Sequence, residues 1–293
     1  VAIQILLARH AGFCFGVKRA VKIATQSSAL HKEVNTLGQI IHNPQVVEDL
    51  ISKGVKPINN LDECGDNPII IRSHGVPFET YNKLEQLGNE IIDATCPFVL
   101  RAQDKVAKAD KMGYQVYIYG DADHPEVLSL NSFAINKPAI VFSTPNELKG
   151  KPVSRSAVIS QTTKDLAGFK AVVCRMVEDC PELLVFNTIC TATAIRQRHT
   201  VELAQEVDLM LIIGGKNSSN TKMLAKLSSE HAETYHIETA DEMKKEWFAK
   251  KEKIGISAGA STPDNIIVAI YNRIIDWFGG LTKAVNVADI PVH

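Results

Sequence analysis

The chain has 293 residues, 45% apolar and 22% charged, the balance of an ordinary globular protein with enough apolar side chains for a sizeable core. Its formal net charge is −1, which leaves no basic excess to neutralise a nucleic-acid backbone and excludes such a partner. No apolar run reaches the roughly 20 residues that a membrane-spanning helix needs, so no membrane partner is expected.

In chain order, Ile3-Gln4-Ile5-Leu6-Leu7-Ala8 predicts a buried strand, and beyond Cys14 the residues Val17, Ala20, Val21 and Ala24 recur at helical spacing. Ile69-Ile70-Ile71 is a second apolar run, and Glu90-Ile91-Ile92-Asp93 a third just before Cys96. Pro97 suits the first position of a helix whose stripe is Val99, Ala102, Val106 and Ala109. Strands follow at Val116-Tyr117-Ile118-Tyr119, at Val158-Ile159 and at Leu183-Leu184-Val185-Phe186, the last leading to Cys190 and a weaker stripe through Ala194, Val201 and Ala204. Leu209–Ile213 and Ile254-Gly255-Ile256 complete the strands, with glycines at 54, 88 and 113 ending helices between them. A last helix is predicted from Pro263-Asp264 through Ile266, Ile267, Ile270 and Ile274 to Gly279-Gly280, beyond which no period is evident. Regular alternation of strand and helix predicts α/β lobes with mostly parallel sheets, whose ligand sites lie beyond the carboxyl ends of the strands.

An internal repeat runs through this pattern. Cys14, Cys96 and Cys190 each stand where an apolar run gives way to a helix, and each is followed 28 residues later by a polar cluster, at His42, His124 and Ser218. A third loop closes each copy: Ser73-His74-Gly75, Gln161-Thr162-Thr163 and Ser257-Ala258-Gly259-Ala260-Ser261. The expected organisation is three lobes of roughly 90 residues in pseudo-threefold arrangement: 14–96, 97–188, and 189–280 together with the strand within 1–13, followed by a tail at 281–293.

The cysteines of the repeat lie 82 and 94 residues apart, unlike the paired spacing of a structural zinc finger. A thiol at a helix start faces N–H groups and the positive end of the dipole, which favours the thiolate that metals bind. Three such thiolates with no fourth ligand of their kind suit an iron–sulfur cluster with one iron open. Cys64, Cys174 and Cys180 fall outside the repeat and read as plain thiols, and the absence of a disulfide-scaffold spacing predicts a reducing cytoplasm. A plastid-type compartment stays open, since the sequence starts at Val1.

His42, His74, His124, Ser218, Ser219, Asn220 and Ser261 offer hydrogen-bond donors of modest charge, matched to a diphosphate. Gly214-Gly215-Lys216-Asn217-Ser218-Ser219-Asn220 has the strand-to-helix setting of a phosphate loop without the nucleotide P-loop spacing, so ATP is not the expected ligand. Glu126, beside His124, suits general acid work if burial keeps it protonated, and Thr162 suits a substrate hydroxyl.

The segments His10–Val17, Ile41–Pro44, Ser73–Val76, Asp93–Pro97, His124–Val127, Gln161–Thr163, Gly215–Asn220 and Ala258–Ser261 closely resemble the LytB/IspH family. The resemblance implies three α/β lobes around a central [4Fe–4S] cluster held by Cys14, Cys96 and Cys190, with the fourth iron open to the substrate's C4 hydroxyl. It implies reductive dehydroxylation of 4-hydroxy-3-methylbut-2-enyl diphosphate to isopentenyl and dimethylallyl diphosphate. His42, His74, His124, Ser218, Ser219, Asn220 and Ser261 would hold this allylic diphosphate. Glu126 would relay protons, with Thr162 orienting the hydroxyl and His124 beside them, and ferredoxin or flavodoxin would be the donor. Two other readings of the residues are another threefold iron–sulfur dehydratase, similar to quinolinate synthase, and a cluster-bearing redox protein without catalysis.

Overall fold

A computed structural model of the chain describes residues 3–150, 152–278 and 282–284. Its strands are β1 (Ile3–Leu7), β2 (Val34–Leu37), β3 (Val55–Ile58), β4 (Ile69–Ile71), β5 (Ile91–Asp93), β6 (Gln115–Tyr119), β7 (Ile140–Phe142), β8 (Arg155–Ser160), β9 (Glu182–Phe186), β10 (Leu209–Ile213), β11 (Glu233–Ile237), β12 (Lys253–Ala258) and β13 (Thr282–Ala284). The α-helices are α1 (Phe15–His31), α2 (Pro44–Ser52), α3 (Phe78–Leu87), α4 (Pro97–Lys111), α5 (Pro125–Ser132), α6 (Leu166–Asp179), α7 (Thr191–Ala204), α8 (Ser219–Ser229) and α9 (Asp264–Phe278).

The strands form three sheets, in the orders β11-β10-β12-β1-β13, β3-β2-β4-β5 and β7-β6-β8-β9, and every pairing is parallel. The expected α/β class with three parallel-sheet lobes is therefore observed. The three orders match element for element once β13 is set aside: an edge strand, an inner strand, then the strand that ends in the third loop, then the strand that leads to the cysteine. Thr282–Ala284, where the sequence has no period, pairs with β1 in register Ile3 to Thr282; the remaining tail positions lie outside the described residues.

The chain divides into two compact units, one of Val1–Phe15, His42–Val46 and Thr191–His293 and the other of Gly16–Ile41 and Val47–Cys190. In the first unit, Leu209, Leu211 and Ile213 of β10 and Ile256 of β12 pack against Ile266, Ile267, Ile270 and Ile274, the face predicted for α9. The second unit carries two sheets. In one, Val116, Ile118 and Ile159 meet Ala102 and Val106 of α4 and Val127 and Leu130 of α5, while Tyr117, Tyr119 and Val158 meet Phe169, Val172 and Met176 of α6 on the other face. In the other, Ile58, Ile69 and Ile71 pack with Val76 and Leu84. Strands covered on both faces need apolar side chains at successive positions, which is why β4 and β10 read as unbroken apolar runs. Among the described residues no helix is long and apolar enough to cross a membrane.

Helix α7 departs from its predicted stripe. Ala204 is buried against Met210 and Ile212 of β10, but its other buried residues are Thr193, Arg196, Gln197 and Thr200, because the earlier turns of this face hydrogen-bond to loop backbone through Arg196 and to Ser257 of β12 through Thr200.

Ile118 is wholly buried between sheet and helices. Ile118→Ala is expected to lower the unfolding free energy by about 2–5 kcal/mol, read as a lower urea midpoint with an unchanged slope.

Candidate functional site

Each cysteine of the repeat is the residue immediately before a helix, Cys14 before α1, Cys96 before α4 and Cys190 before α7. All three are half-buried thiols. Their backbone N–H groups share one arrangement. Cys14 donates to the Ala260 carbonyl at 3.1 Å, Cys96 to Ser73 at 3.0 Å and Cys190 to Thr162 at 2.9 Å. The acceptors belong to the third loops of the repeat, which follow β12, β4 and β8, the strands paired with β1, β5 and β9. Parallel neighbours leave a sheet at the same edge, so the cysteine and its loop emerge together.

In the second unit, Glu126 on the first turn of α5 is 1% exposed. The Thr162 N–H donates to its Oε1 at 2.6 Å and the Thr162 hydroxyl to its Oε2 at 2.8 Å. Burial pushes the carboxyl up from 4.5 to about 7, against the opposing pull of the two Thr162 bonds. Near neutrality Glu126 therefore carries a proton for much of the time. His124 is the N-cap of α5, and its Nδ1 accepts from the Glu126 N–H at 3.1 Å, an assignment that puts the proton of the neutral ring on Nε2. The His74 ring stands edge-on to His124, with centroids 5.4 Å apart. Glu126, Thr162, His124 and His74 are thus brought together within this unit.

The Thr162 loop is anchored by Gln161 of the same predicted loop and by Asp121, Ser143 and Lys164, to which the sequence assigned no role. Gln161 Oε1 accepts from the Asp121 N–H at 3.0 Å, and the buried Lys164 ammonium meets the Asp121 carboxylate at 2.6 Å and the Ser143 carbonyl at 3.2 Å. Only the closeness of Lys164 and Asp121 to the Gln-Thr-Thr and His-Pro-Glu motifs could have suggested those two.

In the first unit, Ser218 is the N-cap of α8, its hydroxyl accepting from the Thr221 N–H at 3.3 Å. Ser219 and Asn220 open the helix. Asn220 is 3% exposed, yet neither its amide oxygen nor its amide nitrogen has a hydrogen-bond partner among the described residues. An amide in that state is set for a ligand, since leaving it unpaired costs a few kcal/mol. Ser261 donates its hydroxyl to the His42 carbonyl at 3.1 Å. A Cβ on Gly215 would lie 2.5 Å from that same oxygen, so the glycine lets the loop before α8 close on His42. His42, Ser218, Ser219, Asn220 and Ser261 therefore belong to one structural unit, around the start of α8, where N–H groups and the helix dipole favour an anion.

The family model for LytB protein matches residues 5–275. The chain belongs to the LytB family. Among LytB-family proteins, the 4-hydroxy-3-methylbut-2-enyl diphosphate reductase of Pelobacter propionicus is 44% identical over 272 residues, 92% of this chain and 97% of that protein. The enzyme of the same name from Aquifex aeolicus is 45% identical over 277 residues, 93% of this chain and 96% of its own length. A solved structure of (E)-4-hydroxy-3-methyl-but-2-enyl diphosphate reductase, the terminal enzyme of the non-mevalonate pathway, aligns with a TM-score of 0.68 at 44% identity, covering 94% of this chain and 99% of that one. The structure of the E-1-hydroxy-2-methyl-but-2-enyl-4-diphosphate reductase from Plasmodium falciparum shares the fold, with a TM-score of 0.90 at 23% identity over 100% of this chain and 95% of its own.

The raised Glu126 carboxyl has a consequence for stability. The folded chain keeps a proton up to about pH 7 that the unfolded chain releases near 4.5. Stability is therefore expected to fall as pH rises across that window, by about 3 kcal/mol at most. Glu126→Gln, which cannot titrate, should flatten this slope in chemical-denaturation series at stepped pH.

Proposed function

We propose that the chain reduces 4-hydroxy-3-methylbut-2-enyl diphosphate to isopentenyl and dimethylallyl diphosphate, the activity for which its relatives are named and the last step of the non-mevalonate pathway. The observation that carries this reading is Glu126: a buried carboxyl, pushed up to about 7 by its burial and bonded to the residue whose carbonyl holds the Cys190 N–H. A protein that only stored electrons would have no use for a proton donor kept there at such cost.

The donor set fits an iron–sulfur cluster. Cys14, Cys96 and Cys190 share one setting at helix starts, and no other cysteine repeats it: Cys64 is buried in an apolar core, Cys180 is buried after α6, and Cys174 is exposed on α6. The three would ligate a [4Fe–4S] cluster and leave its fourth iron open. When bound, the cluster supplies two electrons, one at a time, and an electron-poor iron that weakens the C4–O bond.

The protein's own part is binding, orientation and proton supply. Ser218, Ser219, Asn220 and Ser261, with His42, His74 and His124, hold the diphosphate by hydrogen bonds rather than by a pile of positive charge. Thr162 orients the substrate hydroxyl. Glu126 passes its proton through the Thr162 hydroxyl, so that the C4 oxygen leaves as water, and the carboxylate left behind accepts both Thr162 bonds more strongly than the acid did. Two electrons and a second proton, delivered to either end of the allyl unit, complete the balance and give the two isomeric products. A ferredoxin or flavodoxin supplies the electrons in this reading, and the setting is a reducing cytoplasm.

Glu126→Gln is expected to lower kcat by about 10²–10⁴-fold at neutral pH, with iron content unchanged. The parent rate should decline as pH rises through about 7, where Glu126 loses its proton; turnover by the glutamine variant equal to the parent's removes Glu126 from the reaction. Replacing Cys14, Cys96 or Cys190 by Ser should deplete iron and sulfide in anaerobic preparations. A colourless parent carrying zinc would overturn the proposal.

A further inference from the structure

Two arginines outside the machinery above grip the loops that lead into cysteines. Arg196 on α7 stands six residues after Cys190 and is 3% exposed. Its Nε donates to the His10 carbonyl at 2.9 Å and its Nη2 to the Gly12 carbonyl at 2.7 Å, four and two residues before Cys14. Arg19 on α1 stands five residues after Cys14, and its Nη1 donates to the Thr95 carbonyl at 3.1 Å and its Nη2 to Asp93 at 3.2 Å, one and three residues before Cys96. In both cases the helix behind one cysteine holds the loop ahead of another, by one guanidinium across two carbonyls. The remaining copy uses a looser contact. Lys105 on α4 lies 5.8 Å over the ring of Phe186, four residues before Cys190, while Arg101, at the spacing of Arg19, is exposed and stacks on Phe98.

Tying two carbonyls together does not require a charge. A neutral amide or an ordered water would do it, without the penalty for taking a cation out of water that the buried Arg196 incurs in full and the half-buried Arg19 in part. What a guanidinium adds is a fixed, permanent positive charge with little tendency to rehydrate. Three thiolates on an iron–sulfur core make a negative centre that becomes more negative on reduction, and nearby cations and net charge set its potential. Arg196 is one and a half helical turns from Cys190 and reaches the loop of Cys14. Arg19, five residues along the chain from Cys14, reaches the loop of Cys96.

We infer that Arg19 and Arg196 are positioning residues that fix the loops carrying Cys96 and Cys14 and raise the electron affinity of the cluster. This rests on the reading of the three cysteines as its ligands.

The test compares Arg196→Met, Arg19→Met and the charge-keeping Arg196→Lys and Arg19→Lys with the parent, all full-length and reconstituted anaerobically. Arg198→Ala, an exposed change on the same α7 beside Glu202, is the surface control. Iron and sulfide are counted, and one-electron reduction is followed by spin resonance at stepped potentials. Each methionine variant should show a more negative midpoint, with the reduced-to-oxidised ratio at the parent's midpoint down about tenfold; the lysine variants should shift less and Arg198→Ala not at all. Amide exchange on the cluster-free chains reads the loops separately. Arg196→Met should speed exchange at residues 8–14 and spare 93–96, and Arg19→Met should do the reverse. Parent-like midpoints in the methionine variants overturn the electronic part, and exchange no faster than in Arg198→Ala overturns the positioning part. Methionine variants that take up no cluster are judged on exchange together with the midpoints of the lysine variants, where a shift as large as a lost charge counts against the inference. A parent without a cluster sinks the reading of the cysteines instead, while exchange still decides the loops.

Discussion

The bond from each cysteine N–H to the carbonyl of the neighbouring strand's loop is the constraint on which the other features hang. It spends the cysteine's backbone donor on the loop of a neighbouring strand in its own sheet, at 2.9–3.1 Å in all three copies. It works because β1 and β12, β5 and β4, and β9 and β8 run parallel and end at the same edge. An antiparallel partner would deliver its loop to the opposite edge, and the cysteine would lose its support. The helix that follows then starts at the cysteine, adding the dipole that a thiolate and an anion both favour.

Thr162 carries this constraint into the chemistry. Its carbonyl takes the Cys190 N–H, while its own N–H and hydroxyl take both oxygens of Glu126. A shift in the Cys190 loop is therefore a shift at the Glu126 carboxyl. Isolation from water is what keeps Glu126 protonated, and the Thr162 bonds, which favour the anion, oppose it; burial wins near neutrality, but the margin is small enough for the group to give up its proton. The Lys164–Asp121 pair and Gln161 hold the loop from beneath, where the positive charge is spent on Asp121 and a carbonyl before it can pull Glu126 down.

Most of the central framework was legible because buried parallel strands must be apolar throughout. Ile69–Ile71 and Leu209–Ile213 appear at the positions read from the sequence, as do the buried faces of α4 and α9. The strands that gave no signal are short or lie at edges. β3 contains Pro57, tolerated because β3 is an edge strand; β7 and β11 are edges too. β2 escaped because Asn35 and Thr36 are buried polar residues, satisfied by the Cys64 and Gly38 carbonyls in ways no periodicity reveals. For the site, the fixed 28-residue offset pointed to His42, His124 and Ser218 because the repeated strand order returns the chain to the same edge after the same length. Lys164, Asp121 and the two arginines were not legible, since a charged residue on a helix or loop reads as solvated surface until its partners, and for Lys164 and Arg196 its burial, are seen.

Helix α7 shows what such a site asks of its scaffold. A helix chosen for stability would bury a stripe of Leu and Ile, as α9 does. In α7 the buried face is Thr193, Arg196, Gln197 and Thr200, and each polar group taken from water there needs a partner or a penalty follows. Arg196 meets two loop carbonyls and Thr200 meets Ser257 at 2.7 Å, so the helix gives up apolar burial to grip the backbone next to Cys14 and the strand before the third loop. The apolar core of β10, β12 and α9 in the same unit is what makes that exchange tolerable: the larger core lies on the α9 face, and on the α7 side a small cluster of Leu203 and Ala204 with Met210, Ile212 and Leu224 suffices, leaving the earlier turns of α7 to be shaped by position and charge.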